Sequence, residues 1–309
     1  MNQMKSLLFL SLAIVLSAGA AVSASAQQVK LSAAEIVSRN VAARGGLQAW
    51  RSVQTISMSG KMEAGGNKRP DFPVMATHGA KDLDKVVPAR AEAQVELPFR
   101  MDLKRTRKLR LELDFNGKTS VQVYDGASGW KMRPFLNRTD YEPYTEEETK
   151  VASEQSDLDG PLVDYAAKGT AIELAGTEKV DGRDNYKLKL TLKSGYSFHV
   201  WIDAQTYLET KIEGTPRRMD GEYRPVEVYM RDYRSVNGLR VPFVLETKVL
   251  YSPNVRGASA RVQAIVETIA IDKVVVNPKL EDSQFSKPKS EVATSAPHAM
   301  APSAKSLPQ

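Results

Sequence analysis

Apolar runs separated by turn dipeptides, between Lys179 and Phe243, constrain the fold of this chain more than any other feature. The runs end at Asp181-Gly182, Ser194-Gly195 and Asn237-Gly238. Glycine and asparagine accept the positive φ angles of hairpin turns without a Cβ clash. The pattern therefore predicts strands that are joined by tight turns into an antiparallel sheet.

The first half of the chain repeats this pattern. Apolar and polar residues alternate from Val53 to Met62 and again over Leu109–Phe115, and Asn116-Gly117 and Asp125-Gly126 follow as hairpin turns. Alternating strands and helices, which would indicate a parallel sheet, are not seen. The predicted fold class is mainly β with helices (α+β). We expect a single curved antiparallel sheet of about ten strands, a half-barrel, with helices covering its concave face.

Two capping boxes mark the predicted helices. Ser32 with Glu35 begins a helix over residues 31–44, and Thr145 with Glu148 begins a helical region over residues 145–167. Asp159-Gly160-Pro161 interrupts the second region, so a separate short helix is predicted over residues 162–167. Residues 65–88 predict a long loop or flap with one short strand at residues 74–78.

The ends of the chain predict export and a tail. Three features at the start of the chain are typical of a cleaved secretory signal: Lys5, an apolar run from Leu7 to Leu16, and Ala24-Ser25-Ala26. We therefore expect a signal peptide over residues 1–26, a binding domain over 27–280 and a disordered tail over 281–309. The expected location is the periplasm. The chain contains no cysteine, which excludes disulfides and thiolate chemistry.

Reactive side chains do not form a recognisable catalytic or metal-binding pattern, so no catalytic residue, metal or cofactor is predicted. His199 and Ser197 lie on one face of a predicted strand, but residues i and i+2 are about 7 Å apart along a strand, beyond hydrogen-bond reach. The basic run at residues 105–110 could contact lipid phosphates, although a solvated hairpin end is the simpler interpretation. It lacks neighbouring aromatic residues for stacking, so nucleic acid is not an expected partner.

The order of the turn and strand motifs resembles the long form of the outer-membrane lipoprotein-sorting family. The resemblance covers most of residues 31–287 and rests on short motifs, among them Arg44-Gly45-Gly46-Leu47, Trp201-Ile202-Asp203, Asp232-Tyr233-Arg234, Val241-Pro242 and Leu280–Phe285. It implies a LolA/LolB-like fold and a non-enzymatic binder of lipids or acylated chains. This chain is longer than the classical carriers and has the additional flap and tail, so their ligand is not transferred to it.

Two functions follow from these observations. The first is a periplasmic carrier of lipids or lipoprotein acyl chains, a monomer that exchanges its cargo with envelope transport proteins through a lid formed by the helices. Its cavity would be lined by inward-facing residues of the sheet, namely Ile56, Met58, Leu111, Leu113, Val121, Leu188, Leu190, Phe198, Val200 and Val228. The second is an envelope protein-interaction or sensing module with a filled core, as in the related RseB-type domains.

Overall fold

The structure of the protein is a computed structural model that describes residues 31–65, 94–219, 222–251 and 263–287. The predicted signal peptide, the strand at residues 74–78 and residues 288–309 of the predicted tail lie outside the described residues. Within the described ranges, no helix is long and apolar enough to span a bilayer.

The described strands are joined in one antiparallel sheet. Its strands are β1 (Thr55–Gly65), β2 (Gln94–Lys104), β3 (Lys108–Phe115), β4 (Lys118–Tyr124), β5 (Gly129–Arg133), β6 (Arg138–Pro143), β7 (Ala171–Val180), β8 (Arg183–Thr191), β9 (Ser197–Asp203), β10 (Glu209–Met219), β11 (Glu222–Val236), β12 (Leu239–Tyr251) and β13 (Gln263–Val276).

The spatial order of these thirteen strands is β6-β5-β4-β3-β2-β1-β13-β12-β11-β10-β9-β8-β7. The sheet is thus curved and unclosed, with β6 and β7 as its edges, and the predicted mainly-β class with a single antiparallel sheet is confirmed. Almost every neighbour in the sheet is a neighbour in sequence. The exception is β1, which pairs with β13, so that Ile56 lies opposite Val276.

The sequence predicted fewer strands than the structure contains. The sequence pattern predicts two separate strands, at residues 91–97 and 99–104, whereas β2 continues through Pro98, which lies opposite Lys61. Strand β6 was missed because its side chains are largely exposed at the sheet edge, so its sequence lacks the alternation that burial of one face imposes.

Both capping boxes are confirmed. The helices are α1 (Ala33–Ala43), α2 (Leu47–Ser52) and α3 (Glu146–Gln155). The Ser32 hydroxyl accepts the Glu35 backbone N–H at 3.2 Å, and the Glu35 carboxylate accepts the Ser32 N–H at 2.8 Å. Thr145 and Glu148 make the same two bonds at the start of α3. These bonds satisfy donors that the first helical turn would otherwise leave free.

The predicted helix over residues 162–167 is wrong: this segment is a series of turns. Lys168 holds the segment by donating to both carboxylate oxygens of Asp157 at 2.8 Å and to the Gly160 carbonyl at 2.7 Å. Leu162 and Val163 are buried here without a helix. Tertiary contacts therefore order the segment where its local helix propensity predicted otherwise.

The predicted start of the disordered tail is also wrong. A 3-10 helix spans Asp282–Phe285, and Phe285 is fully buried. Lys104 donates to the Leu280 carbonyl at 2.8 Å, and Lys108 contacts the Asp282 carboxylate at 2.8 Å. Residues 278–286, which we call the C-terminal strap, therefore pack against β2 and β3.

Candidate functional site

A cavity of about 940 Å³ lies between α3 and one face of the sheet. This volume is near the upper end of the range for small-molecule sites in proteins. Side chains of directly opposed residues in antiparallel strands point to the same side of the sheet, so the strand register shows which residues share the cavity face.

The sheet side of the cavity is apolar. Strand β3 contributes Leu109 and Leu111, and strands β9, β10 and β11 contribute Phe198, Ile212, Val226 and Val228. Leu111 lies opposite Gln122 and Met101 on the strands beside it, and Val228 lies opposite Ile212 and Thr247. The register therefore places the apolar residues of β3 and those of β9 to β11 on the same face of the sheet, the one that lines the cavity. Because β3 and β10 are not neighbours in the sheet, the two apolar groups reach the cavity from separate parts of it.

The helix side of the cavity is polar. Helix α3 contributes Lys150, Val151 and Glu154, and among its residues only Ala152 is classed as buried. The amine of Lys131, on β5, pairs with the Glu148 carboxylate and joins the start of α3 to the sheet. Burial alone would raise the pKa of Glu148, but hydrogen bonds from Lys131 and Thr145 outweigh it and lower that pKa.

Two ionisable side chains of the lining are perturbed by partial burial. Burial raises the pKa of the Glu154 carboxyl, and the charges of Lys150 and Arg107 only partly offset this. Burial also raises the pKa of the Tyr196 hydroxyl, with smaller contributions from Glu154 and Glu213. The Lys150 amine lies 5.4 Å from the centre of the Tyr196 ring. The cavity therefore joins an apolar wall to a polar wall that carries charge of both signs.

The predicted lining residues fall into three groups. Leu111, Phe198 and Val228 line the cavity. Six others lie on the same face of the sheet but are not among the lining residues of this cavity: Ile56, Met58, Leu113, Leu188, Leu190 and Val200.

Val121 requires a correction. It lies opposite Glu112 and Met132, whereas its neighbours Ser120 and Gln122 share the face of Leu113 and Leu111. Val121 therefore points to the opposite side of the sheet, where it is nonetheless buried. Sequence reasoning assigned it inward because a buried apolar residue was expected on one face only.

Sequence reasoning missed several lining residues. Ile212, Val226 and the polar residues of α3 were not among the predicted set. Val226 and Val228 alternate with Glu227 in β11, and this alternation was the available signal. Nothing local in the sequence shows that α3 faces these strands, because they are far from it along the chain.

The basic run at residues 105–110 is paired within the protein. The Arg105 guanidinium contacts the Asp159 carboxylate at 2.7 and 2.8 Å, Arg107 lies 3.9 Å from Asp157, and Arg110 lies 2.6 Å from Glu112. Lys104 and Lys108 both contact Asp282. The run is therefore an internal ion-pair network, which supports the simpler of its two interpretations.

His199 is paired with a carboxylate and not with a nucleophile. Its Nδ1 lies 2.9 Å from Glu213, and the Ser197 hydroxyl instead contacts Thr191 at 2.9 Å. The described residues contain no group of three or more His, Cys, Asp or Glu side chains placed to hold a metal ion.

No protein-family model matches the chain, and no curated protein sequence matches it. Among solved structures, a LolA superfamily protein from Nitrosomonas europaea is similar at a TM-score of 0.48 and 12% identity, covering 84% of this chain and 99% of that protein. A DUF1329 family protein from Desulfovibrio piger is similar at a TM-score of 0.48 and 14% identity, covering 81% of this chain and 95% of that protein. A LolA superfamily protein thus occurs among the similar structures, as the sequence resemblance led us to expect, and no ligand or partner is transferred from either protein.

Proposed function

We propose that this chain is a periplasmic carrier that holds the apolar chain of a lipid or of an acylated lipoprotein in the cavity beneath α3. The observation that supports the proposal is the 940 Å³ cavity with its wall of Leu109, Leu111, Phe198, Ile212, Val226 and Val228. Such a wall suits an elongated apolar ligand, and the polar residues of α3 suit its head group. The proposal assigns no catalytic residue.

Burial of methylene groups would supply the binding energy. Each buried methylene contributes about 0.8 kcal/mol, so ten would contribute about 8 kcal/mol before the costs of association are subtracted. A micromolar dissociation constant corresponds to a net free energy of about 8 kcal/mol, so it requires more than ten buried methylenes. A chain held with this strength can be carried and then released.

We further propose that α3 is the cover over the concave face of the sheet and moves to admit the ligand. The helix buries little apolar surface, so its displacement costs few hydrophobic contacts. Helix α1 is held more firmly, because Asn40 donates to the Tyr207 carbonyl at 2.8 Å and Arg44 pairs with Glu209 at 3.2 Å. The proposed lid is therefore α3, and the predicted role of α1 in it is dropped.

A cavity-filling substitution tests the carrier function. Thr247 lies on the cavity face of β12, so Thr247→Trp should fill the cavity and weaken the binding of a fluorescent acyl probe about tenfold or more. Thr268→Trp on β13 is the matched control, since Thr268 lies opposite Glu246 and points to the other side of the sheet. The measurement is probe titration, together with native mass spectrometry of protein purified from the periplasm.

Wild-type protein should carry lipid in native mass spectrometry and should bind the probe. Protein that is free of lipid and does not bind the probe would contradict the carrier function. Equal loss of binding in the two tryptophan variants would show that the effect is not specific to the cavity.

One observation favours the interaction module as a second candidate. The edge strand β7 is ten residues long, and its outer side pairs with no described strand, so it could accept a strand from a partner protein. In that case the wild type should be cross-linked to one stoichiometric partner protein. The Glu173→Pro variant, which disrupts the backbone of β7, should lose this partner and still bind the acyl probe. The carrier function predicts no such partner at β7.

A further inference from the structure

The exposed large apolar residues of the described chain cluster at one end of the sheet. They are Val95, Phe135, Leu136 and Tyr223, with exposures between 39% and 60%. The register places the start of β2, the β5–β6 turn and the start of β11 at the same end, because β1–β2, β5–β6 and β10–β11 all pair as antiparallel neighbours. Phe135 and Leu136 are adjacent, and Val95 and Tyr223 lie farther along the same end of the sheet, on β2 and β11.

The same end of the sheet is basic. We define the basic rim as residues 115–118, 133–138, 192–196 and 215–219, which form or border the β3–β4, β5–β6, β8–β9 and β10–β11 turns. These four segments contain six cations and no Asp or Glu: Lys118, Arg133, Arg138, Lys193, Arg217 and Arg218. Three of these cations pair with carboxylates outside the segments: Arg133 and Arg138 with Glu142, at 3.0 and 3.4 Å, and Arg217 with Glu267 at 2.8 Å. Within the described residues, Lys118, Lys193 and Arg218 pair with no carboxylate and carry the net positive charge of the rim.

The opposite end differs in charge. With the bordering strand residues counted in the same way, its turns at residues 104–108, 124–129, 180–183, 203–209 and 236–239 carry five cations and four Asp or Glu residues. Arg105 there is bound to Asp159, and none of the exposed large apolar residues lies at that end. The charges of the opposite end are thus nearly balanced, whereas the rim segments contain cations only, and the exposed apolar side chains lie at the rim end.

From this geometry we propose that the basic rim docks on the surface of an anionic lipid bilayer. Phe135 and Leu136 project from a 3-10 turn that has no buried residue, and such side chains can enter the interfacial region of a membrane. Lysine and arginine around them gain from the negative surface potential. The apolar residues are spread over strands from β5 to β11, a distribution that suits an extended surface better than a compact protein hot spot.

The cavity borders the same rim. Lys193, Arg217 and Arg218 belong both to the rim and to the cavity lining. Docking would thus bring part of the cavity wall close to the bilayer. The docking proposal depends on the rim alone. It does not depend on which ligand occupies the cavity.

Vesicle flotation of the full exported chain tests the docking. Wild-type protein should float with vesicles of phosphatidylglycerol and phosphatidylethanolamine, and much less with phosphatidylcholine vesicles. Lys118→Gln with Arg138→Gln should weaken anionic-vesicle binding about 25-fold, since each cation near such a surface contributes about fivefold. Phe135→Ser with Leu136→Ser should remove the binding that persists at high salt, where surface charges are screened.

The matched control is Lys179→Gln with Lys279→Gln, which removes two exposed cations from the opposite end of the sheet. This variant should float as the wild type does. Absence of flotation with anionic vesicles, or equal flotation of the rim and control variants, would overturn the proposal. If the wild type does not bind vesicles but self-associates, and the rim variants abolish this self-association, the rim is instead a contact surface for a second copy of the chain.

The same variants separate docking from the carrier function. None of Lys118, Phe135, Leu136 and Arg138 lines the cavity, so acyl-probe binding should be unchanged in both rim variants. Flotation without probe binding would refute the carrier function and leave docking in place. Probe binding without flotation would refute docking and leave the carrier function in place.

Discussion

At the scale of single residues, the partners of the charged side chains decide their roles. Arg105 belongs to a dense basic run in the sequence, yet its guanidinium donates to the Trp50 carbonyl at 2.6 Å and the Val53 carbonyl at 2.5 Å as well as to Asp159. It thereby joins α2, the start of β1 and the loop after α3. Burial of Asp159, which is 4% exposed, makes this pair sensitive to the loss of either partner.

Asp159→Asn should lower the free energy of unfolding by about 2 kcal/mol, because it removes the buried carboxylate that pairs with the partly exposed Arg105 guanidinium. Asp184→Asn is the control, since its pair with Lys179 is exposed on both sides and should contribute less than about 1 kcal/mol. Urea unfolding followed by circular dichroism measures both. Equal effects of the two substitutions would contradict the structural role of Asp159.

At the scale of elements, the C-terminal strap shows how tertiary contacts order a segment that lacks local signals. Its sequence is mostly polar, with Leu280 and Phe285 as its large apolar residues, and such a composition is typical of disorder. A single aromatic residue, Phe285, is buried completely, and two lysines of β2 and β3 hold the Asp282 carboxylate. The strap is thus anchored by two buried apolar side chains, Leu280 and Phe285, and one ion-pair cluster.

Phe285→Ala should destabilise the protein by about 3 to 5 kcal/mol, as is usual for removal of a buried aromatic ring. Gln284→Ala, at the exposed neighbouring position, should have little effect on stability. Thermal and urea unfolding of the two variants provide the comparison. A stability of Phe285→Ala equal to that of the wild type would mean that the strap is dispensable.

The strap should also respond to acid. Hydrogen bonds from Lys108 and Lys104 lower the pKa of Asp282 to about 2, below its ordinary value of 3.8. Since the folded pKa is depressed, the stabilisation is complete well above pH 4 and is lost as the pH falls toward 2. A carbon-13 NMR titration should give a midpoint near 2, and Lys108→Gln should raise it. A midpoint near 3.8 in the wild type would refute the pairing.

At the scale of the whole molecule, the pairing of β1 with β13 joins residues that lie far apart in the sequence. Ile56 and Val276 meet across this pair, and the hairpins on either side extend the sheet outward to β6 and β7. The centre of the sheet is therefore supported on both sides, whereas each edge strand has one neighbour. Local stability should decrease from the centre to the edges.

Hydrogen exchange should show this gradient. Amides of β1, β12 and β13 that bond within the sheet should exchange most slowly, and those of the short edge strand β6 most rapidly. Exchange measured by mass spectrometry with peptide resolution is sufficient. Protection of β6 equal to that of β13 would show that the edge is covered by another part of the chain or by a partner.

The sequence by itself determined the local features: the hairpin turns at Asn116-Gly117 and Asn237-Gly238, both capping boxes and the mainly β class. These depend on backbone conformation and on residues a few positions apart, so their signals are short-range. Tertiary structure alone decided that β1 pairs with β13, that Val121 faces away from Leu111, and that Phe285 is buried. It also placed α3 across from β10 and β11 to form the cavity. These outcomes depend on which distant surfaces bury one another, and the free energy of that burial is not encoded in any single stretch of the chain.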